Sequence, residues 1–174
     1  MTEQQFWEML EQLDWTHEGD DGRVVQPVVQ TLARLPDEEI FEFDNILARK
    51  LHELDSRELV QKLYEKREKF SEDRFLYNRC VAVVNGREYY EAILARREKL
   101  DPDLGFEAIL YVAEDAWDQK HPDKAGEYPH VPEPDYESGS NTALRESVEQ
   151  NSAVPSLTVF LRRLFRRGDN KRKK

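Results

Sequence analysis

The chain has 174 residues, 39 % of them apolar and 36 % charged, with a formal charge of −10 and a single cysteine, Cys80. That length supports one domain with a real core, and one cysteine excludes an internal disulfide and a cysteine-based zinc cluster. The charge is uneven: residues 156–174 hold eight Arg or Lys and one Asp, a net +7, so the remainder carries −17. A body this acidic is ill suited to nucleic acid, because phosphate binding needs a positive field.

The opening MTEQQFWEML lacks the basic start and apolar centre of a signal peptide. No apolar run approaches the roughly 20 residues of a spanning helix. A lone cysteine fits a reducing compartment, so the expected location is cytoplasmic.

Phe6, Trp7, Leu10 and Leu13 fall at helical spacing and predict a first helix over 3–14. Glu18-Gly19-Asp20-Asp21-Gly22 breaks it. A second helix is expected from Val24 or Val25, with Pro27 in its first turn and Val28, Val29 and Leu32 inward. Pro36 and the acids Asp37, Glu38 and Glu39 open a third helix, whose Ile40, Phe43, Leu47, Leu51 and Leu54 recur at steps of three and four. Asp55 and Glu58 fit a capping box for a fourth helix holding Leu59 and Leu63.

Ser71 or Glu72 begins a fifth helix with Phe75, Leu76, Cys80 and Val83 inward, and Asn85-Gly86 stops it. Val-Ala-Val-Val at 81–84 also suits a strand, but the helical steps before it favour helix. A sixth helix carries Tyr90, Ile93, Leu94 and Arg97, and Asp101-Pro102 ends or interrupts it. A seventh spans about 104–119, with Phe106, Ile109, Leu110, Ala113 and Trp117 inward. The fold class is therefore all-α: a bundle of six to seven helices over residues 1–121.

Five of the eight prolines fall in 122–155, which predicts a linker or a strap laid over the domain, with a short helical turn near Ala143–Val148. In the last segment, 156–174, Leu157, Phe160, Leu161, Leu164 and Phe165 share a helical face opposite Arg162, Arg163, Arg166 and Arg167. Lys171, Arg172, Lys173 and Lys174 follow. Such a segment suits docking on its own acidic body, a partner groove, an anionic membrane or phosphate, and its shortness means that something should order it.

The stretch DRFLYNRCVAVVNGREYYEAIL, residues 73–94, concentrates the chemistry. Arg79 lies four residues after Phe75 and four before Val83, on or beside the apolar face. If buried it needs a carboxylate, and Asp73, Glu88, Glu91 and Glu114 are the candidates. Cys80 reads as a buried structural residue, since no histidine is near it in sequence. Tyr89 and Tyr90 point in different directions, one into the core and one to the surface. Glu88 and Glu91 share a helix face, but such pairs arise by chance among 36 acids.

Elsewhere, His17, His52, His121 and His130 lie at no metal-binding spacing, and the seven glycines are scattered, with no phosphate-cradling loop. No metal, cofactor or catalytic residue is assigned. Trp7, Trp15 and Trp117 read as core or rim residues, and a meeting of Trp7 with Trp117 would close the bundle at its ends.

Phe6-Trp7, Leu35-Pro-Asp-Glu-Glu-Ile-Phe-Glu-Phe43, Asn85-Gly-Arg-Glu-Tyr-Tyr90 and Phe106-Glu-Ala-Ile-Leu-Tyr-Val-Ala113 form an ordered set. In that set the chain resembles a bacterial family catalogued as domain of unknown function 4240, DUF4240, over about residues 3–120. The resemblance implies a small, mostly helical, cytoplasmic protein and carries no established activity. It marks Phe6, Trp7, Phe43, Gly86, Arg87, Glu88, Tyr90 and Glu114 as motif positions without giving them roles. The proline-rich tract and basic tail depart from the shorter members.

Two functions are set against each other. The first is a non-enzymatic interaction or regulatory module with a protein partner, using the body and the tail residues Phe160, Leu164, Phe165, Arg162, Arg163, Arg166 and Arg167. The alternative is an enzyme with a site between helices lined by Arg79, Arg87, Glu88, Glu91 and Glu114. Peripheral membrane association through the tail is a third reading.

Overall fold

Most of the helices begin where a short polar side chain can accept one of the first free amides. The computed structural model describes residues 1–64 and 71–136. Helix α1, Glu3–Leu10, opens with a capping box in which the Thr2 hydroxyl accepts from the Gln5 amide and the Gln5 side chain accepts from the Thr2 amide. Asp20 caps α2, Asp21–Leu32. Pro36 precedes α3, Asp37–Glu53, whose first turn carries three acids. The Ser56 hydroxyl accepts from the Leu59 amide at the start of α4, Arg57–Tyr64, and Ser71 caps α5, Glu72–Val84. Helices α6, Arg87–Leu94, and α7, Val112–Lys120, complete the set, with 3₁₀ turns at Trp15–His17, Ala108–Tyr111 and Pro122–Lys124. The described residues form an all-α bundle and contain no strand, so 81–84 continues α5.

Five boundaries differ from expectation, the first being the seventh helix, expected over about 104–119: residues 104–107 are not helical, Ala108–Tyr111 is a 3₁₀ turn, and α7 begins only at Val112. Helix α1 stops at Leu10, and Leu13 is buried beyond it. Helix α2 starts at Asp21, because Asp20 takes the Arg23 amide, so Pro27 is its seventh residue rather than a first-turn residue. Proline has no N–H to give the Arg23 carbonyl, and the carbonyl of the next residue, Val24, accepts from the Asp14 amide at 3.0 Å. The break before α4 is capped by Ser56, not by Asp55, whose side chain is enclosed, and Glu58 pairs outward with Arg96. Helix α6 ends at Leu94, well before Pro102: Arg96 takes φ 61°, and the amides of Arg97 and Glu98 both turn back to the Ala92 carbonyl. Leu94 is exposed.

Helix α3 is the central element. It touches α1, α5 and α7, while α2 packs on α7 and α6 on α5. Phe6, Ile40, Phe43, Leu47, Leu51, Val83 and Ile109 are buried in one apolar core, with a small satellite of Val60 and Phe75. Cys80 is fully buried in α5. Trp7 and Trp117 are buried against different partners, Tyr90 and Tyr128, and Trp15 stays half exposed against Phe106.

After α7 the chain turns at Gly126, whose amide donates to Asp118, and residues 128–136 run back over α3 and α7. Burial alternates along this strap: Tyr128, His130, Pro132, Pro134 and Tyr136 are covered or partly covered, while Pro129, Val131, Glu133 and Asp135 are exposed. That period of two suits a segment that lies extended on a surface over 128–132 and then bends at Glu133-Pro134 and at Tyr136. The helical turn expected at Ala143–Val148, the rest of the tract to 155 and the basic segment 156–174 lie outside the described residues.

Candidate functional site

Two polar clusters are built on α3, around Lys50 and around Asp44. Six residues of separation put them on different sides of the helix.

The first cluster gathers the aromatic positions singled out in sequence. Phe6 meets Trp7 at 5.2 Å and Phe43 at 5.1 Å between ring centroids, and Trp7 meets Tyr90 at 5.3 Å. Over these rings, Lys50 Nζ lies 3.2 Å from Glu3 and 3.1 Å from Glu53. The Trp7 indole donates to Glu3, and the Tyr90 hydroxyl donates to Glu53 at 2.7 Å. Burial and the neighbouring Glu53 push the Tyr90 hydroxyl well above its usual range, so it stays a phenol. Partial burial works to raise the Glu3 carboxyl, but the Lys50 and Trp7 hydrogen bonds outweigh it and hold it low. The cluster ties α1, α3 and α6 together.

Arg87 lies at the edge of this cluster, where it pairs with Glu91 at 2.7 Å and donates to Gln4 at 3.3 Å. Glu88 is exposed, and Tyr89 is partly covered while Tyr90 is buried. Gly86 admits the chain with φ 87° and ψ 171°. Glu114 lies on α7, partly buried, where its charge helps raise Tyr128.

Arg79 is buried, 1 % exposed. Its Nη1 donates to the Leu51 carbonyl at 2.8 Å, its guanidinium lies over the Phe75 ring, and the carboxylate set beside it, at 4.0 Å, is Asp55. The sequence candidates Asp73, Glu88, Glu91 and Glu114 gave way to Asp55, which local pattern had assigned to a cap. Leu51 is in the last turn of α3, so Arg79 satisfies a carbonyl that has no helical donor. The five residues Arg79, Arg87, Glu88, Glu91 and Glu114 thus fall in separate settings, except that Arg87 and Glu91 meet.

The second cluster was not anticipated. Asp44 is 3 % exposed. One carboxylate oxygen accepts from Tyr128 at 3.1 Å and the other from Tyr136. His130 stacks on Phe41 at 4.9 Å and 17° and meets the Asn45 side chain at 3.0 Å. Burial pushes Asp44 above the usual carboxylate range, opposed by the two tyrosine hydrogen bonds, and burial beside Asp44 raises both phenols. Beside it, Asp37 accepts from Lys120 at 2.6 Å and faces His121 at 3.1 Å, and those two bonds hold its carboxyl low. The signal available in sequence was position: Asp44 sits four after Ile40 and three before Leu47, on the apolar stripe. Its partners lie 84 and 92 residues away.

An open groove of about 330 Å³ runs between α2 and α7, lined by Val25, Gln26, Val29, Tyr111, Asp115 and others. Among the described residues no His, Cys, Asp and Glu group is arranged to hold a metal ion, and no helix is long and apolar enough to cross a membrane.

Comparison with known proteins adds one finding. A family model described as Protein of unknown function (DUF4240) matches residues 1–119. No curated protein and no solved structure matches the chain.

Proposed function

The chain belongs to the DUF4240 family, whose description names no activity, and from that premise we propose that it is a non-enzymatic protein-interaction module. One observation carries this reading: a segment that follows the matched span is already held across α3 and α7 in extended form, through side chains converging on one buried carboxylate. A helical face that binds one extended segment has the chemistry to bind another. The acidic body and the +7 segment at 156–174 support it further, since opposite charges speed encounter and fix orientation. The enzyme reading has less support. Arg79 is engaged with Asp55 and Leu51, and Arg87 with Glu91, so these cations are held in structural ties.

The test is site-specific photo-crosslinking in native cells, with a benzophenone side chain at exposed Val131 on the strap or at exposed Glu8 on α1. The reading expects a defined set of protein adducts from position 131 that position 8 does not give. Identical adducts from both positions, or none from either, would overturn it.

A further inference from the structure

We infer that the α3–α7 face is a receptor for an extended, tyrosine- and proline-bearing segment of a partner protein, and that residues 126–136 occupy it in cis as an internal ligand. This rests on the interaction reading and names its surface and the kind of partner that fits.

Asp44 is the first argument. It lies within the family-matched span, yet among the described residues both hydrogen bonds to its carboxylate come from the strap beyond that span. A carboxylate closed off from water requires donors. Here two phenols supply them, one to each oxygen, eight residues apart in sequence.

The strap's register is the second. Inward positions read Tyr128, His130, Pro132, Pro134, Tyr136, every other residue without a slip, and Val131 between them is 72 % exposed. Alternate-residue readout is how an extended peptide is recognised on a surface. The receptor offers a matching series of features: the Phe41 ring for an imidazole, Asn45 for its nitrogen, Trp117 for the first phenol's ring and Asp44 for both hydroxyls. Two prolines, at 129 and 132, fix their own φ near the extended value before the segment docks, which lowers the ordering cost of any ligand built the same way. The recognised pattern is Tyr-x-His-x-Pro-x-Pro-x-Tyr, with the hydroxyls unmodified, because a phosphate on either tyrosine would face the Asp44 carboxylate.

The experiment uses the full chain and a fluorescein-labelled peptide of residues 126–136, read by anisotropy. In the wild type the cis strap holds the site. In the Tyr128→Phe/Tyr136→Phe chain the strap loses both hydroxyls while the receptor is intact, and the peptide should bind at least tenfold more tightly than to the wild type. Adding Asp44→Ala should abolish that gain, and a peptide with both tyrosines phosphorylated should bind at least tenfold more weakly. Equal binding to wild type and double variant overturns the receptor. So does displacement of the labelled peptide by a peptide of residues 156–174, which would make the chain's own tail the occupant, or dimerisation of the double variant through exchanged straps. Hydrogen exchange on the unaltered protein gives an independent check. Amides of 126–136 must exchange at least tenfold faster than those of α3, and a strap that opens only with α3 is part of the core and no ligand. Failure of these arms while position 131 still gives specific adducts removes the receptor and leaves the interaction reading standing.

Discussion

Replacing Arg79 by methionine keeps the apolar stem and removes the guanidinium. The residue is 1 % exposed, and so is the Asp55 side chain 4.0 Å away. Arg79→Met therefore leaves a carboxylate in the interior without this cation and strips the Leu51 carbonyl of the donor that lies 2.8 Å from it. Removing one member of a buried pair costs about 3–5 kcal/mol, a large share of the roughly 5–15 kcal/mol that holds a domain together. With a urea dependence of about 2 kcal/mol per molar, the unfolding midpoint should fall by about 1.5–2.5 M. Urea titration followed by tryptophan fluorescence measures it, since Trp7 and Trp117 are both buried. The double variant Arg79→Met/Asp55→Asn should recover part of the loss, because the uncompensated charge is gone. Its cost should fall short of the sum of the two single variants by at least about 1 kcal/mol. A single-variant loss below about 1 kcal/mol, or strict additivity, would refute the buried-pair argument.

Gly86 takes φ 87° with ψ 171°, and an added Cβ would meet no atom within 4 Å. Gly86→Ala should thus cost about 1–3 kcal/mol through backbone strain alone, and Gly86→Asn should give no relief, because this region is essentially restricted to glycine; thermal melts of both variants check it. Tyr90→Phe removes a donor from Glu53 and should lower stability by about 1–2 kcal/mol at neutral pH, measured by urea titration. Asp37 has a folded-state pKa below its unfolded 3.8, set by the hydrogen bonds from Lys120 and His121. Its contribution is present above that unfolded value and is lost as pH falls through the lower folded value. The difference between wild type and Asp37→Asn should accordingly hold at pH 6–8 and shrink below about pH 4. The groups are about a third exposed, so solvent screening limits the difference to about 1 kcal/mol.

Local patterns in the chain announce most of the helices. The stripe Ile40, Phe43, Leu47, Leu51 and Leu54 places α3 and its buried face, and Ser71 with Asn85-Gly86 brackets α5. These features act within a turn or two, so spacing reveals them. The α2 start was missed because Asp20 capping outweighed the helix-breaking cue of a glycine at 22 and carried Pro27 into the interior. The α6 end was missed because nothing local marks Arg96 for a positive φ. The polar ties are the least legible part. Arg79 reads as buried and paired, but its partner lies 24 positions earlier in a segment that looks like a cap. The Asp44 cluster joins residues more than 80 positions apart, and only the misplaced acid on an apolar stripe hints at it.

The lone thiol of Cys80 is fully enclosed in α5. A thiol-reactive reagent can reach it only when the bundle opens, so the labelling rate of the unaltered protein is a direct clock of core opening, with no engineered probe. The same enclosure makes the folded protein silent toward brief labelling. A cysteine introduced at a solvent-facing position such as Val131 would then be the one rapid target, and a dye placed there would report the strap's motion without the native cysteine having to be removed.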